Sequence, residues 1–222
     1  MGEIMNFKQK LIAHRGYYNK IIPENSTESF KKCLYFSIPI ELDVHLTKDH
    51  QVVVFHDFSL KRMIGISKNI EDLTYGQLSQ FFLKNSKEKI PLLKDILKII
   101  HNKVPILIEL KNKKIGPLEN ALISLLDSYQ NFALQTFQSK SIYYLKKRRP
   151  NYQVGILLFR YRILRYSKID FICCSNLGVM NYKIQKYKGI KPIIIWNIET
   201  KEQFKKISDY GDAYIVDIKK FI

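Results

Sequence analysis

Cysteine is scarce in this chain: Cys33, Cys173 and Cys174 are the only three among 222 residues. An odd count, with no CxxC pair and no histidine-rich spacing, argues against a disulfide framework and against a zinc site. Reduced core thiols in a cytoplasmic protein are the expectation. Long apolar runs are missing too. None approaches the roughly 20 residues that span a bilayer, and the opening stretch MGEIMNFKQK holds no apolar signal segment. Acidic residues are few, 20 against 37 lysines and arginines, for a net charge of +17. That excess favours an anionic partner and allows loose attraction to an anionic membrane surface. A lysine-rich solvated surface accounts for it as well. The lysines form no long block, so no nucleic-acid partner is expected. There is no GxGxxG or GxxxxGKS/T, no fixed-period repeat and no linker, which leaves one domain over residues 1–222.

What is present is an alternation. Short β-branched runs at 10–13, 38–46, 52–55, 104–110, 132–137, 153–159, 170–174, 191–196 and 213–216 interleave with helical patterns. The patterns fall at 25–36, 73–82, 92–100, 117–129, 139–147, 181–187 and 200–208. Asn25, with Glu28 three residues on, reads as the first helix cap. Lys48-Asp49-His50 reads as a hairpin turn, and 160–168 as a short basic connection. Alternation in this sense predicts parallel βα units. Eight of them predict a (β/α)8 barrel, with an open doubly wound sheet as the alternative.

Two runs carry charges where a strand should be apolar. Side chains alternate faces along a strand. In Ile40-Glu41-Leu42-Asp43-Val44, Glu41 and Asp43 therefore share one face; in Ile108-Glu109-Leu110-Lys111, Glu109 and Lys111 share one. Three carboxylates converging in a low-dielectric site stay ionised only around a cation. All-oxygen ligands favour one hard divalent ion, Mg2+ or Ca2+. The plainer account places them on solvated strand ends in ordinary ion pairs. Two apolar runs also end at a histidine: Leu11-Ile12-Ala13 at His14, and Val52-Val53-Val54-Phe55 at His56. A pair so placed points to general acid–base chemistry. Arg15 could hold a phosphate oxygen, with Lys111 as a second positive charge, though both also read as surface cations.

At these residues the sequence resembles the glycerophosphodiester phosphodiesterase family. The blocks are IAHRG, PENS with a following SF, ELDVHLTKD and VVVFHD, then more loosely IEDLT, IPLLKDIL, ILIELK, LQTF, IIIWN and DAYIVD. The resemblance implies a TIM barrel with a small insertion after the second strand, at about residues 47–89. It implies metal-dependent hydrolysis of a small-molecule glycerophosphodiester to glycerol 3-phosphate and an alcohol. By position it implies that His14 and His56 are the acid–base pair. Glu41, Asp43 and Glu109 hold the metal, Arg15 and Lys111 face the phosphate, and Gln135, Phe137 and Trp196 line the pocket. Core packing is an equal reading for the last two. The chain departs from the family pattern where a glycine usually precedes the Glu-x-Asp strand (here Phe36-Ser37-Ile38-Pro39-Ile40), at His50 in place of a glycine, at Gln135-Thr136-Phe137, and at Val216-Asp217-Ile218. The alternatives are a related barrel phosphodiesterase acting on a lysophospholipid or a phosphodiester-linked polymer, and a basic anion- or nucleic-acid-binding protein. Nothing in the sequence bears on the oligomeric state.

Overall fold

The computed structural model describes residues 10–159 and 168–222; the basic connection expected at 160–168 lies outside them, apart from Lys168. The strands are β1 (Lys10–Ala13), β2 (Ile40–Leu46), β3 (Val52–Val54), β4 (Ile106–Leu110), β5 (Phe132–Thr136), β6 (Val154–Leu158), β7 (Phe171–Ser175), β8 (Ile193–Ile198) and β9 (Ala213–Val216). The helices are α1 (Thr27–Tyr35), α2 (Lys61–Ile64), α3 (Tyr75–Leu78), α4 (Leu93–Ile100), α5 (Pro117–Leu126), α6 (Ser139–Arg148), α7 (Tyr182–Gln185) and α8 (Lys201–Ile207).

Every strand but β3 runs parallel to its neighbours, in the order β1-β9-β8-β7-β6-β5-β4-β2. Ala13 opposite Ile40 joins β1 to β2 and closes the ring, which excludes the open sheet. The architecture is a (β/α)8 TIM barrel. β3 is antiparallel to the upper part of β2, Val44 opposite Val54.

The period-2 pattern sorts each strand into two cores. Outward residues such as Ile40, Leu42, Ile108 and Leu134 pack with Phe30, Leu93, Ile96 and Leu122 of the helices. On α4, Leu93, Ile96, Leu97 and Ile100 repeat at helical spacing and are buried, each worth about 1.5–3 kcal/mol of transfer free energy. Inward residues Ile12, Leu107, Ala133, Leu157, Phe171, Cys173, Ile194 and Ile215 fill the lumen. There the Phe171 ring occupies the space where a Cβ on Gly155 would stand. Gly155→Val is therefore expected to overpack the barrel by at least about 1–3 kcal/mol, seen as a lower melting temperature.

Between β2 and β4 the chain leaves the barrel wall. β3, α2 and α3 bury Val53, Phe55, Leu60, Ile70, Leu73 and Leu78 in a cluster of their own. The hairpin into β3 places His50 at φ 58 on the surface, in the left-handed conformation that glycine adopts most readily. Ser37 at φ 54 does the same before β2.

The first helix corrects one expectation. Ser26, not Asn25, is its cap, exchanging reciprocal bonds with Ser29. Asn25 sits at φ 52 with its amide committed elsewhere. Several helices are also shorter than their sequence patterns. α3 covers four residues, capped by Thr74 and Gln77, and α5 stops at Leu126.

Candidate active site

The inward parity of β2 and β4 sets the centre of the site. Register pairs Asp43 with Glu109 and Glu109 with Gln135, so three polar residues stand at one level on adjacent strands. Glu41 lies two residues earlier on the same face of β2. Lys111 continues the inward face just past β4, as Phe137 does past β5. At the end of β1 the chain turns through two successive left-handed residues, Arg15 at φ 56 and Gly16 at φ 80. A Cβ on Gly16 would meet the Ser29 hydroxyl, so glycine is required for the turn that presents His14 and Arg15.

These elements enclose a cavity of about 180 Å3 at the carboxyl ends of the strands. It is lined by His14, Arg15, Glu41, His56, Glu109, Lys111, Gln135, Phe137 and Trp196, with Leu157, Asn197 and Ile215. Asp43 is buried beside it. Every site residue singled out from the sequence thus lies in one place. Phe137 is 47% exposed, which removes the core-packing reading for it. Trp196 is half-buried, with its ring edge-on to Phe137 at 5.9 Å and its indole Nε1 buried without a hydrogen-bond acceptor among the described residues.

Oxygens of Glu41, Asp43 and Glu109 come within 4.8 Å of one another, and all three residues are buried. Glu41 accepts from the Arg15 backbone N–H at 3.1 Å and from Gln135 Nε2 at 3.3 Å. Asp43 accepts from Asn25 Nδ2 at 2.9 Å. Its carboxylate also lies 3.1 Å from Lys111 Nζ and 3.6 Å from Arg15 Nε. Lys111 Nζ reaches Glu109 at 2.5 Å as well.

Burial and then the charges of Asp43 and Glu109 push Glu41 well above the usual carboxylate range. Burial and Asp43 lift Glu109 to about 7. Burial also opposes ionisation of Asp43, but Lys111, His56, Arg15 and the Asn25 amide outweigh it and hold that carboxyl below its ordinary value. With all three ionised, the buried carboxylates face two cations, Arg15 and Lys111, and carry one surplus negative charge. A divalent cation would offset it and leave the site net positive, suited to a phosphodiester monoanion. The donors are all oxygen, so the set fits a hard cation.

The two histidines differ in surroundings. Burial, followed by the charge of Arg15, lowers His14 to about 3, so it is neutral at pH 7. His56 is also lowered, mainly by burial, but its Nδ1–H donates to Asp57 at 2.5 Å. That bond leaves Nε2 as the free ring nitrogen.

A model of the glycerophosphoryl diester phosphodiesterase family matches residues 14–211. The chain belongs to this family. It is thereby a phosphoric diester hydrolase, and the family depends in general on a divalent metal. YhdW of Bacillus subtilis is 32% identical over 96% of each chain. A glycerophosphodiester phosphodiesterase of Caldanaerobacter subterraneus is 28% identical over 95% of this chain and 94% of its own. Among solved structures, an Oleispira antarctica phosphodiesterase bound to the product sn-glycerol-3-phosphate superposes with a TM-score of 0.85. It is 20% identical and covers 97% of this chain and 96% of its own. The Thermotoga maritima glycerophosphodiester phosphodiesterase gives 0.80 at 23% identity, over 96% of each chain.

Within this family member, several residues shape the site beyond those given a catalytic, metal or substrate role from the sequence. Asn25 braces Asp43, and its place next to a Pro-Glu pair before the cap was the only signal. His45 follows Glu41 and Asp43 on the same face of β2, fully buried. Its Nε2–H donates to the His56 carbonyl at 3.2 Å, and its ring meets Phe58 edge-on. The i, i+2, i+4 spacing made it findable. Arg62 donates to both Glu24 and Asp57, which in turn accept from Arg15 and His56, a pairing that no local pattern announces.

Proposed function

We propose that this barrel hydrolyses a glycerophosphodiester to glycerol 3-phosphate and an alcohol, with a divalent cation and His14/His56 acid–base catalysis. The observation that carries the reading is the convergence on one cavity of three buried carboxylates, two fixed cations and two strand-end histidines. When bound at Glu41, Asp43 and Glu109, Mg2+ or Ca2+ supplies positive charge against the phosphate and acidifies a nearby hydroxyl.

The chain's own residues do the rest. Arg15 and Lys111 balance the non-bridging oxygens as charge develops. His14, neutral and, among the described residues, without a carboxylate bonded to its ring, takes the proton of the attacking hydroxyl. Burial lowers His56, but the Asp57 carboxylate on Nδ1–H opposes that lowering and fixes the ring, so that the charged ring can protonate the departing alkoxide from Nε2. Attack by the neighbouring glycerol hydroxyl forms one P–O bond as the alcohol's P–O bond breaks, giving a cyclic phosphate that water opens with the roles reversed. A substrate analogue lacking that hydroxyl is expected to resist cleavage; its hydrolysis would show direct attack by water. The decisive test is release of glycerol 3-phosphate from glycerophosphocholine with Mg2+, Ca2+ or Mn2+. Absence of turnover on every glycerophosphodiester tried with these cations would reject the reading.

A second reading rests on the rim. Phe137 and Phe159 are exposed, and both rings meet Trp196, a surface that an acyl chain could cover. A human lysophospholipase D matches 118 residues at 36% identity, over 47% of this chain and 37% of its own. Faster turnover of lysophosphatidylcholine than of glycerophosphocholine would favour it. We place the protein in the cytoplasm: its cysteines are buried and unpaired, as a reducing compartment keeps them. Among the described residues no helix is long and apolar enough to cross a membrane.

A further inference from the structure

Arg62 belongs to α2, within the segment between β2 and β4, and its side chain is 46% exposed. Exposed ion pairs usually contribute little to stability. This one differs in what it joins. Arg62 Nε donates to Asp57 Oδ2 at 2.6 Å. Its Nη1 donates to Glu24 Oε2 at 2.9 Å and its Nη2 to Glu24 Oε1 at 2.6 Å. Each acceptor carries a site residue on its other side. Glu24 Oε1 also accepts from Arg15 Nη1 at 2.8 Å, and Asp57 Oδ1 accepts from His56 Nδ1–H at 2.5 Å. A continuous chain of charged contacts, His56–Asp57–Arg62–Glu24–Arg15, therefore links the loop after β3 to the turn after β1.

We propose that Arg62 is a positioning residue: through Asp57 it holds the His56 ring, and through Glu24 it aims the Arg15 guanidinium at the cavity. The role requires a planar fork that donates from Nε to one carboxylate and from both Nη atoms to another. Lysine, a single point of charge, cannot hold both acceptors in that geometry. Without Arg62, Glu24 and Asp57 stand near each other with one fewer cation. Arg15 is then free to swing toward Asp43, 3.6 Å from its Nε, and His56 loses its fixed orientation.

The proposal rests on the hydrolase reading above, and its test includes a readout that needs no substrate. In the parent protein, 15N NMR of the His56 ring is expected to report the Nδ1–H tautomer. In Arg62→Ala it is expected to report a mixture. With glycerophosphocholine and saturating cation, Arg62→Ala is expected to lower kcat by about 10–100-fold, the loss that a small misplacement of reacting groups brings. KM is expected to rise as Arg15 loosens. Asp57→Asn should reproduce mainly the kcat change and Glu24→Gln mainly the KM change, and neither should add fully to Arg62→Ala.

Arg62→Lys keeps the charge and the stem and serves if the alanine variant fails to fold; its kcat is expected to fall at least about fivefold, between alanine and parent. An unchanged His56 tautomer in the folded variant, kcat and KM within twofold of the parent, or full additivity with both carboxamide variants would each overturn the proposal. If the parent cleaves no phosphodiester, the hydrolase reading fails, and the tautomer measurement still decides whether Arg62 positions His56.

Discussion

His14→Ala and His56→Ala are each expected to leave a folded barrel whose turnover falls by about 10²–10⁴-fold, the usual worth of general acid–base help. Folding should survive because neither side chain belongs to a hydrophobic core; both line the cavity at the mouth of the ring. The packing that closes the barrel comes from the lumen and helix-facing clusters instead. The two losses should also differ in form. His14 is held neutral down to about pH 3 by burial, followed by the charge of Arg15, so its basic form is present throughout the neutral range. Lowering the pH from 8 to 5 should not remove activity by protonating His14.

In the proposed mechanism His56 acts on the leaving group. A substrate whose alcohol is a good leaving group needs little protonation and should largely restore His56→Ala, while His14→Ala stays impaired. Steady-state kinetics on a choline and a nitrophenyl ester, with circular dichroism as the folding control, checks both. Near-parent activity of either variant on the choline ester would remove that histidine from the mechanism.

Excess chelator is expected to abolish activity, with Mg2+ or Ca2+ restoring it. Asp43→Asn should weaken cation binding by at least about 10²-fold, since altering even the partners of metal ligands costs 10–100-fold. Asp43 is the member of the trio held ionised, and replacing it also disturbs Lys111 and Asn25.

The pH dependence follows from the other two members. Burial and neighbouring charge raise Glu41 and Glu109, Glu109 to about 7. A raised carboxyl is protonated at the lower pH, and that proton must leave for a cation to bind. Affinity should therefore fall as the pH drops through about 7, by about tenfold per unit for each proton displaced. Titration calorimetry with Mg2+ at pH 6 and pH 8 measures this. Equal affinity at both values would mean that the carboxylates are already ionised before the ion arrives. Full activity in chelator would remove the cation from the reaction altogether.

Local pattern carried much of this molecule. Period-2 alternation put Glu41 with Asp43 and Glu109 with Lys111 before any fold was known, because a strand has only two faces. Apolar runs stopping at His14 and His56 marked strand ends, where a parallel barrel gathers its loops. β-branched runs set the strand positions to within a few residues. Helix ends were less legible. Asn25 and Ser26 are equally good caps by composition, and the choice went to Ser26 because Asn25 was drawn to Asp43, 18 residues away.

The residue types and spacings alone thus determined which side chains share a face, which strands end in histidine, and that the charge balance suits an anion. They did so because those features depend on near neighbours in the chain. Only the tertiary structure decided that β1 meets β2 and closes the ring, that the register sets Asp43 level with Glu109 and Gln135, and that Phe137 stands at the rim. It also decided that Arg62 reaches both Glu24 and Asp57, the first 38 residues away in sequence. Contacts of that kind depend on how distant segments are brought together, and a single chain read in order carries no periodic trace of them.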